Sequence, residues 1–238
     1  DRRLGAAQAD EADAGTFAYH AACRVLRPAM LPTNGQEMTV AQKERFDKDY
    51  YDRFYFDHRT AVTSQAEMDA RGRLIAGFTD HVGQPVKRIL DAGCGVGLLR
   101  KPLKKAWPKA EYVGLEVSEY LCKRYGWRHV GIQDFNAREQ YDVVICYDVI
   151  QYLTPAEVRR AVANLARVCR GVLYFGALTK EDWEENCDQS RTDPAVMLRT
   201  GAWYRKELSK HFRHMGAGFW LIRDTPLYVW EMDTAGRR

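Results

Sequence analysis

The chain reads as an α/β protein: a doubly wound, mostly parallel seven-stranded sheet with an antiparallel C-terminal strand and helices on both faces. Three observations predict this. Val86 to Arg100 runs from a short apolar stretch ending in Asp91, through Gly93, Gly95 and Gly97, into a helix-forming Leu-Leu-Arg-Lys. That is strand, tight turn and helix, the opening unit of a doubly wound sheet. Apolar runs of strand length then alternate with capped helical stretches. The last two such runs, Ala217 to Arg223 and Leu227 to Met232, are joined only by Asp224-Thr225-Pro226, a joint that permits antiparallel pairing alone.

In chain order, residues 1–39 form an Ala-rich, polar N-terminal extension of loose order, broken by Pro28, Pro32 and Gly35. Residues 40–238 form the main domain, and 40–82 are its N-terminal helices. Phe46, Tyr50 and Phe54 stand at i, i+4 and i+8 and make one stripe. Ser64 with Glu67 is a capping box for a helix to about His81, with Leu74, Ile75 and Phe78 inward and Gly83 at its end.

Residues 86–178 form the core. The first strand is Arg88 to Leu90, and the next helix reaches Ala106, with Pro102 tolerable only in its first turn. Strands follow at Tyr112 to Leu115, with Ser118 capping the next helix, and at His129 to Ile132. Tyr141 to Cys146 is apolar almost throughout, as a strand buried on both faces should be. Thr154 and Glu157 form a second capping box, for a helix to Val168 ended by Gly171, before a fifth strand at Val172 to Phe175. Residues 179–215 are an insert followed by a helix to about Met215, and residues 217–232 are the C-terminal hairpin.

Composition narrows the function. Hydrophobic residues make up 46% and charged residues 29%, the balance of a globular domain, and no apolar run is long enough to span a membrane. The six cysteines stand singly, without a C-x-x-C pair, which points to reduced thiols, no metal site and a cytoplasmic home. The net charge of +4 comes from basic residues spread along the chain, a solvated surface rather than a nucleic-acid footprint.

Asp91 with three glycines at G-x-G-x-G spacing, Glu116 standing 25 positions after Asp91, Asp134 after the third strand and the end of the fourth strand all fall in order. This set resembles class I S-adenosylmethionine-dependent methyltransferases. The resemblance covers about Val86 to Met232. It implies S-adenosylmethionine as cofactor and S-adenosylhomocysteine as product. Asp91, Gly93, Cys94, Gly95 and Gly97 would meet the amino-acid end, where glycines let backbone N–H groups approach closely. Glu116 would hold the ribose diol, a bidentate match for a carboxylate, with Val117 beside it. Asp134 and Phe135 would meet the adenine, and Tyr147 the methionine part.

Methyl transfer from a sulfonium is an in-line displacement, so the protein's main task is to align acceptor, methyl and sulfur. A base is required only where the acceptor keeps its proton at neutral pH. Asp148 and Tyr152 are the catalytic candidates, although Tyr152 stands where many relatives carry His. His58, His211 and His214 are further candidates for a base. Tyr51 and Tyr55 from the segment before the core, with Trp203 and Tyr204 from the insert, are the candidate acceptor contacts. A small-molecule acceptor is expected. An RNA or protein acceptor and a non-catalytic partner subunit of this fold stay open. A dehydrogenase would need the third glycine one position later.

Overall fold

The computed structural model describes residues 45–235, so the 1–39 extension and the first residues of the main domain lie outside the described residues. Its centre is one seven-stranded sheet. The strands are β1 (Arg88–Ala92), β2 (Glu111–Glu116), β3 (Arg128–His129), β4 (Tyr141–Tyr147), β5 (Cys169–Gly176), β6 (Phe212–Gly216) and β7 (Phe219–Ile222). Their spatial order is β3-β2-β1-β4-β5-β7-β6, with β7 alone antiparallel to its neighbours. The chain leaves β1 for β2 on one side and returns to place β4 on the other. The crevice outside the carboxyl ends of β1 and β4 is therefore the switch point where ligands of such sheets bind.

Helices cover both faces because the central strands bury both. Leu90, Val144 and Leu173 pack under α5 (Pro155–Val168), which contributes Val158, Val162 and Leu165. Their neighbours Ile89, Val143, Ile145 and Val172 face the other way. They meet Ile75 of α2 (Gln65–His81) and Leu103 of α3 (Arg100–Ala106). Both capping boxes form: Ser64 with Glu67 opens α2, and Thr154 with Glu157 opens α5. Ser118 caps α4 (Glu119–Tyr125) through the Leu121 N–H. Pro102 sits in the first turn of α3, where its missing N–H has no partner to lose.

Five expectations are corrected. The C-terminal hairpin is Phe212–Gly216 with Phe219–Ile222, one element earlier than its apolar runs suggest. Gly216, Ala217 and Gly218 all have positive φ, the geometry of a tight hairpin turn, so the chain reverses there and not at Pro226. The helix expected to reach Met215 is α7 (Gly201–Leu208), so His214 lies on β6 and stacks on Trp220 at 4.3 Å. Gly171 does not end α5, which passes directly into β5 at Cys169. A Cβ at Gly171 would stand 2.6 Å from the Asp142 carbonyl oxygen. Finally, β3 has only two residues, and Leu74 is 49% exposed rather than inward.

Candidate active site

The turn after β1 is held by backbone: the Gly93 and Cys94 N–H groups both donate to the Leu115 carbonyl, at 2.8 and 2.9 Å. Its three glycines have positive φ but different reasons to lack a side chain. A Cβ on Gly93 would stand 2.2 Å from a Val149 methyl, and one on Gly97 would stand 2.8 Å from the Trp127 ring. A Cβ on Gly95 would meet nothing within 4 Å, and this residue lines a pocket. Gly93 and Gly97 thus have no room for a side chain, while Gly95 faces open space; Gly93 and Gly95 both line the pocket. Trp127, whose indole N–H donates to the Gly95 carbonyl at 2.9 Å, buttresses the turn; sequence reasoning missed it.

The pocket lies at the carboxyl ends of β1, β2 and β4. Glu116 ends β2 on its wall and is 5% exposed. One carboxylate oxygen accepts from the Gly95 N–H at 2.9 Å, the other from Val117 and Ser118 at 2.8 and 3.0 Å. Burial raises its pKa, and these N–H groups oppose the rise. Val117 lines the pocket beside it. Asp91 is placed differently. It is 4% exposed, accepts from the Tyr112 hydroxyl, and is absent from the pocket lining. Burial pushes its pKa up to about 6, with the Tyr112 bond opposing and the Glu116 charge adding. Cys94 is buried behind the same turn, its sulfur against Gly114.

At the far end of the pocket the wall is Gly131, Ile132 and Gln133. Asn164 fixes this loop, donating to the Ile132 and Gln133 carbonyls at 2.9 and 3.0 Å. The expected adenine contacts sit elsewhere. The Asp134 side chain is 54% exposed and 3.9 Å from Arg160, and Phe135 is buried in the core. Gln133, which sequence reasoning passed over, takes the wall position.

An aromatic segment covers the pocket. Helix α1 (Lys48–Tyr51) continues as a π-helical turn, Asp52–Phe56. It is tied down where the Ser118 hydroxyl donates to the Phe46 carbonyl at 2.5 Å. Phe46, Tyr50, Tyr51 and Tyr55 all line the pocket. Phe46 packs edge-on against Tyr152 at 5.2 Å, and the Tyr50 and Tyr152 hydroxyls are 3.1 Å apart.

A second cleft opens from the same space. Tyr50, Tyr55, Asp148 and Tyr152 line both cavities, and Tyr147, Gln151, Asp182 and Asp193 line the cleft alone. Asp148, just past β4, has φ of 59°, unusual for a residue with a side chain. Its N–H donates to the Gly176 carbonyl at 2.9 Å, and Gln151 Nε2 donates to its Oδ1. Burial among protein atoms raises its pKa, with Gln151 and the Arg71 charge opposing and the Asp193 charge adding. Tyr147 stacks on Tyr174 at 5.9 Å, under the Arg71 guanidinium at 3.9 Å.

Trp203 and Tyr204 line neither cavity. Tyr204 is 3% exposed against Phe175, and Trp203 packs edge-on against Tyr204 under Arg199; both dock α7 onto the sheet. His58, His211 and His214 also line neither cavity. Among the described residues, no group of three or more His, Cys, Asp and Glu is placed to hold a metal, and no helix is long and apolar enough to cross a membrane.

Solved structures share this architecture. The plantazolicin methyltransferase BpumL, in complex with a monoazolic desmethyl analogue and SAH, superposes with a TM-score of 0.54 at 14% identity, over 72% of this chain and 69% of that one. The magnesium protoporphyrin IX methyltransferase of Synechocystis PCC 6803, with bound SAM, gives 0.51 at 18% identity, over 76% of this chain and 97% of that one. Residues 90–171 match a family model described as a methyltransferase domain. The described sheet, with its single antiparallel strand β7, has the fold of these methyltransferase structures. Two curated relatives extend the likeness in sequence. Malonyl-[acyl-carrier protein] O-methyltransferase of Anoxybacillus flavithermus is 28% identical over 136 residues, 52% of this chain and 52% of the relative. Ubiquinone biosynthesis O-methyltransferase of Bordetella parapertussis is 32% identical over 108 residues, 40% of this chain and 44% of the relative. The chain spans about half the length of the curated relatives it matches.

Proposed function

We propose that the protein is an S-adenosylmethionine-dependent methyltransferase acting on a small-molecule acceptor. The observation that carries this reading is the pairing of the two cavities. Gly95 and Glu116 face one, an enclosed cleft forms the other, and Tyr152 and Asp148 stand between them. The residues present fit the cofactor. Gly95 leaves the space of a side chain open, and Glu116 has its carboxylate fixed by three backbone N–H groups at the end of β2. The Gly93–Gly95 backbone would hold the amino-acid end, with Asp91 behind it. Glu116 would take the ribose hydroxyls. The Gly131–Gln133 loop would border the adenine.

When bound, the cofactor supplies an electrophilic methyl on a positively charged sulfur. The chain's own work is alignment. Tyr51 and Tyr55 cover the cofactor side, while Tyr50 and Tyr152 divide it from the cleft. Holding two reactants in line contributes about 7–11 kcal/mol in favourable model systems. Burial keeps the Tyr50 and Tyr152 hydroxyls protonated, so both act as walls and hydrogen-bonding groups rather than as bases. That leaves Asp148 as the group placed to accept a proton. The names of the relatives, both O-methyltransferases, support methyl transfer, and the cleft beside the pocket gives an acceptor room to enter. A reducing, cytoplasmic setting agrees with Cys94, Cys122, Cys146, Cys169 and Cys187 all being free thiols. The test is incubation with methyl-labelled S-adenosylmethionine and a panel of small amines, phenols, thiols and carboxylic acids. Label transfer to a panel member is expected. Label recovered only in a co-purified RNA or protein would contradict the reading.

A further inference from the structure

The cleft has a definite electrostatic character. Among the described residues, its charged lining side chains are all carboxylates: Asp148, Asp182 and Asp193. Two of the three are already engaged. Asp182 accepts from the Thr179 hydroxyl at 2.6 Å and from Asn186 Nδ2 at 3.0 Å, and Asp193 is paired with Arg45. Asp148 is not: Gln151 takes Oδ1, and Oδ2 carries no hydrogen bond among the described residues. Gln151 itself is 1% exposed and lines the cleft, and its Oε1 has no donor. The cleft thus presents two acceptors that await hydrogen atoms. Around Asp148 the wall is phenolic, with Tyr50, Tyr55, Tyr147 and Tyr152.

We infer that the methyl acceptor is an amine, received as an ammonium by Asp148 Oδ2 within the tyrosine-lined cleft. This rests on the methyltransferase reading above. A carboxylate acceptor would bring a further negative charge to three acids and would supply no hydrogen to Gln151 or Asp148. A hydroxyl would supply one. An ammonium supplies three, together with the opposite charge, and aromatic rings favour a cation over their faces. The other charges nearby are Arg71, which packs over Tyr147, and Arg45, held by Asp193. The phenols stay neutral because burial holds their pKa values high.

The step balances. The ammonium gives one proton to Asp148 Oδ2, which frees its lone pair. That pair forms the N–CH3 bond while the S–CH3 bond breaks and its electrons return to sulfur. The products are a methylated ammonium and neutral S-adenosylhomocysteine, and the proton on Asp148 leaves to water. Asp148 is exposed at the cleft, so its proton has a direct route to water.

The test uses the full chain loaded with S-adenosylhomocysteine. It is titrated by ligand-observed NMR with benzylamine, benzyl alcohol and benzoate at equal pH. Saturable benzylamine binding at least tenfold tighter than benzoate or benzyl alcohol is expected. Asp148→Asn should weaken benzylamine at least tenfold and leave S-adenosylhomocysteine affinity within twofold. Asparagine tolerates positive φ well, so this variant keeps the local backbone. Benzoate or benzyl alcohol binding as tightly as the amine, or no saturable amine binding, would overturn the inference. So would an Asp148→Asn variant that loses S-adenosylhomocysteine, which would put Asp148 on the cofactor's own ammonium. Failure of the wild type to bind S-adenosylhomocysteine at all would withdraw the methyltransferase reading, and this inference with it.

Discussion

The two cavities that meet at Tyr152 are built from different materials. The pocket beside Gly95 is largely backbone, with the glycine turn, a carboxylate held by the Gly95, Val117 and Ser118 N–H groups, and a loop pinned through its carbonyls. The cleft beyond it is side chain, with four tyrosines and three aspartates drawn from α1 and its π-helical extension, the end of β4 and the insert after β5. A backbone pocket constrains few residue types, and those few are demanded by geometry. A side-chain cleft constrains chemistry instead, and can be rewritten without disturbing the sheet. On the proposed reading, the scaffold would fix the cofactor side and the insert the acceptor side.

The largest expected effect breaks the turn itself. Gly93→Ala places a methyl against Val149 in a left-handed backbone and should lower stability by about 3 kcal/mol in urea unfolding. Gly95→Ala meets no atom and should cost only about 1 kcal/mol, the left-handed strain alone. Equal losses would erase the division between crowded and open glycines. Next comes Asp91. Its folded pKa of about 6 lies above the unfolded value of 3.8, so the native state holds the proton more tightly. Stability should therefore fall as pH rises from about 4 to about 6 and then level, by about 3 kcal/mol in all. Asp91→Asn should flatten that slope in thermal melts taken across the same window.

Glu116→Ala should weaken S-adenosylhomocysteine binding by about 1.5–3 kcal/mol through the loss of charged hydrogen bonds, with the fold retained by circular dichroism. Undiminished affinity would remove Glu116 from the ribose. The smallest effect is on the cleft side. Tyr152→Phe removes one partner of the 3.1 Å hydroxyl pair and should cost about 1 kcal/mol of stability. Urea unfolding of the variant against wild type measures that loss.

The same contrast governs what was legible in the sequence. The glycine turn, Glu116 and the capping boxes at Ser64 and Thr154 are local signals, each set within a few residues, and they stand where expected. The C-terminal hairpin was misplaced because its apolar runs outweighed the Gly216-Ala217-Gly218 turn, where three successive positive φ values reverse the chain. Gln133 and Trp127 went unremarked, since a glutamine beside a turn and a lone tryptophan carry no periodic signal. Trp203 and Tyr204 looked like acceptor contacts because they follow the insert, yet α7 turns them onto Phe175 and Arg199. Asp182 and Asp193 reach the cleft only through long-range folding, which no local spacing encodes.

The central claim is that the pocket of Gly95 and Glu116 takes an adenosyl ligand through a fixed carboxylate and not a pyrophosphate. Calorimetric titration of the full chain with S-adenosylhomocysteine and with NAD tests it most directly. Saturable binding of S-adenosylhomocysteine with no heat from NAD is the predicted result. Binding of NAD alone would contradict the account.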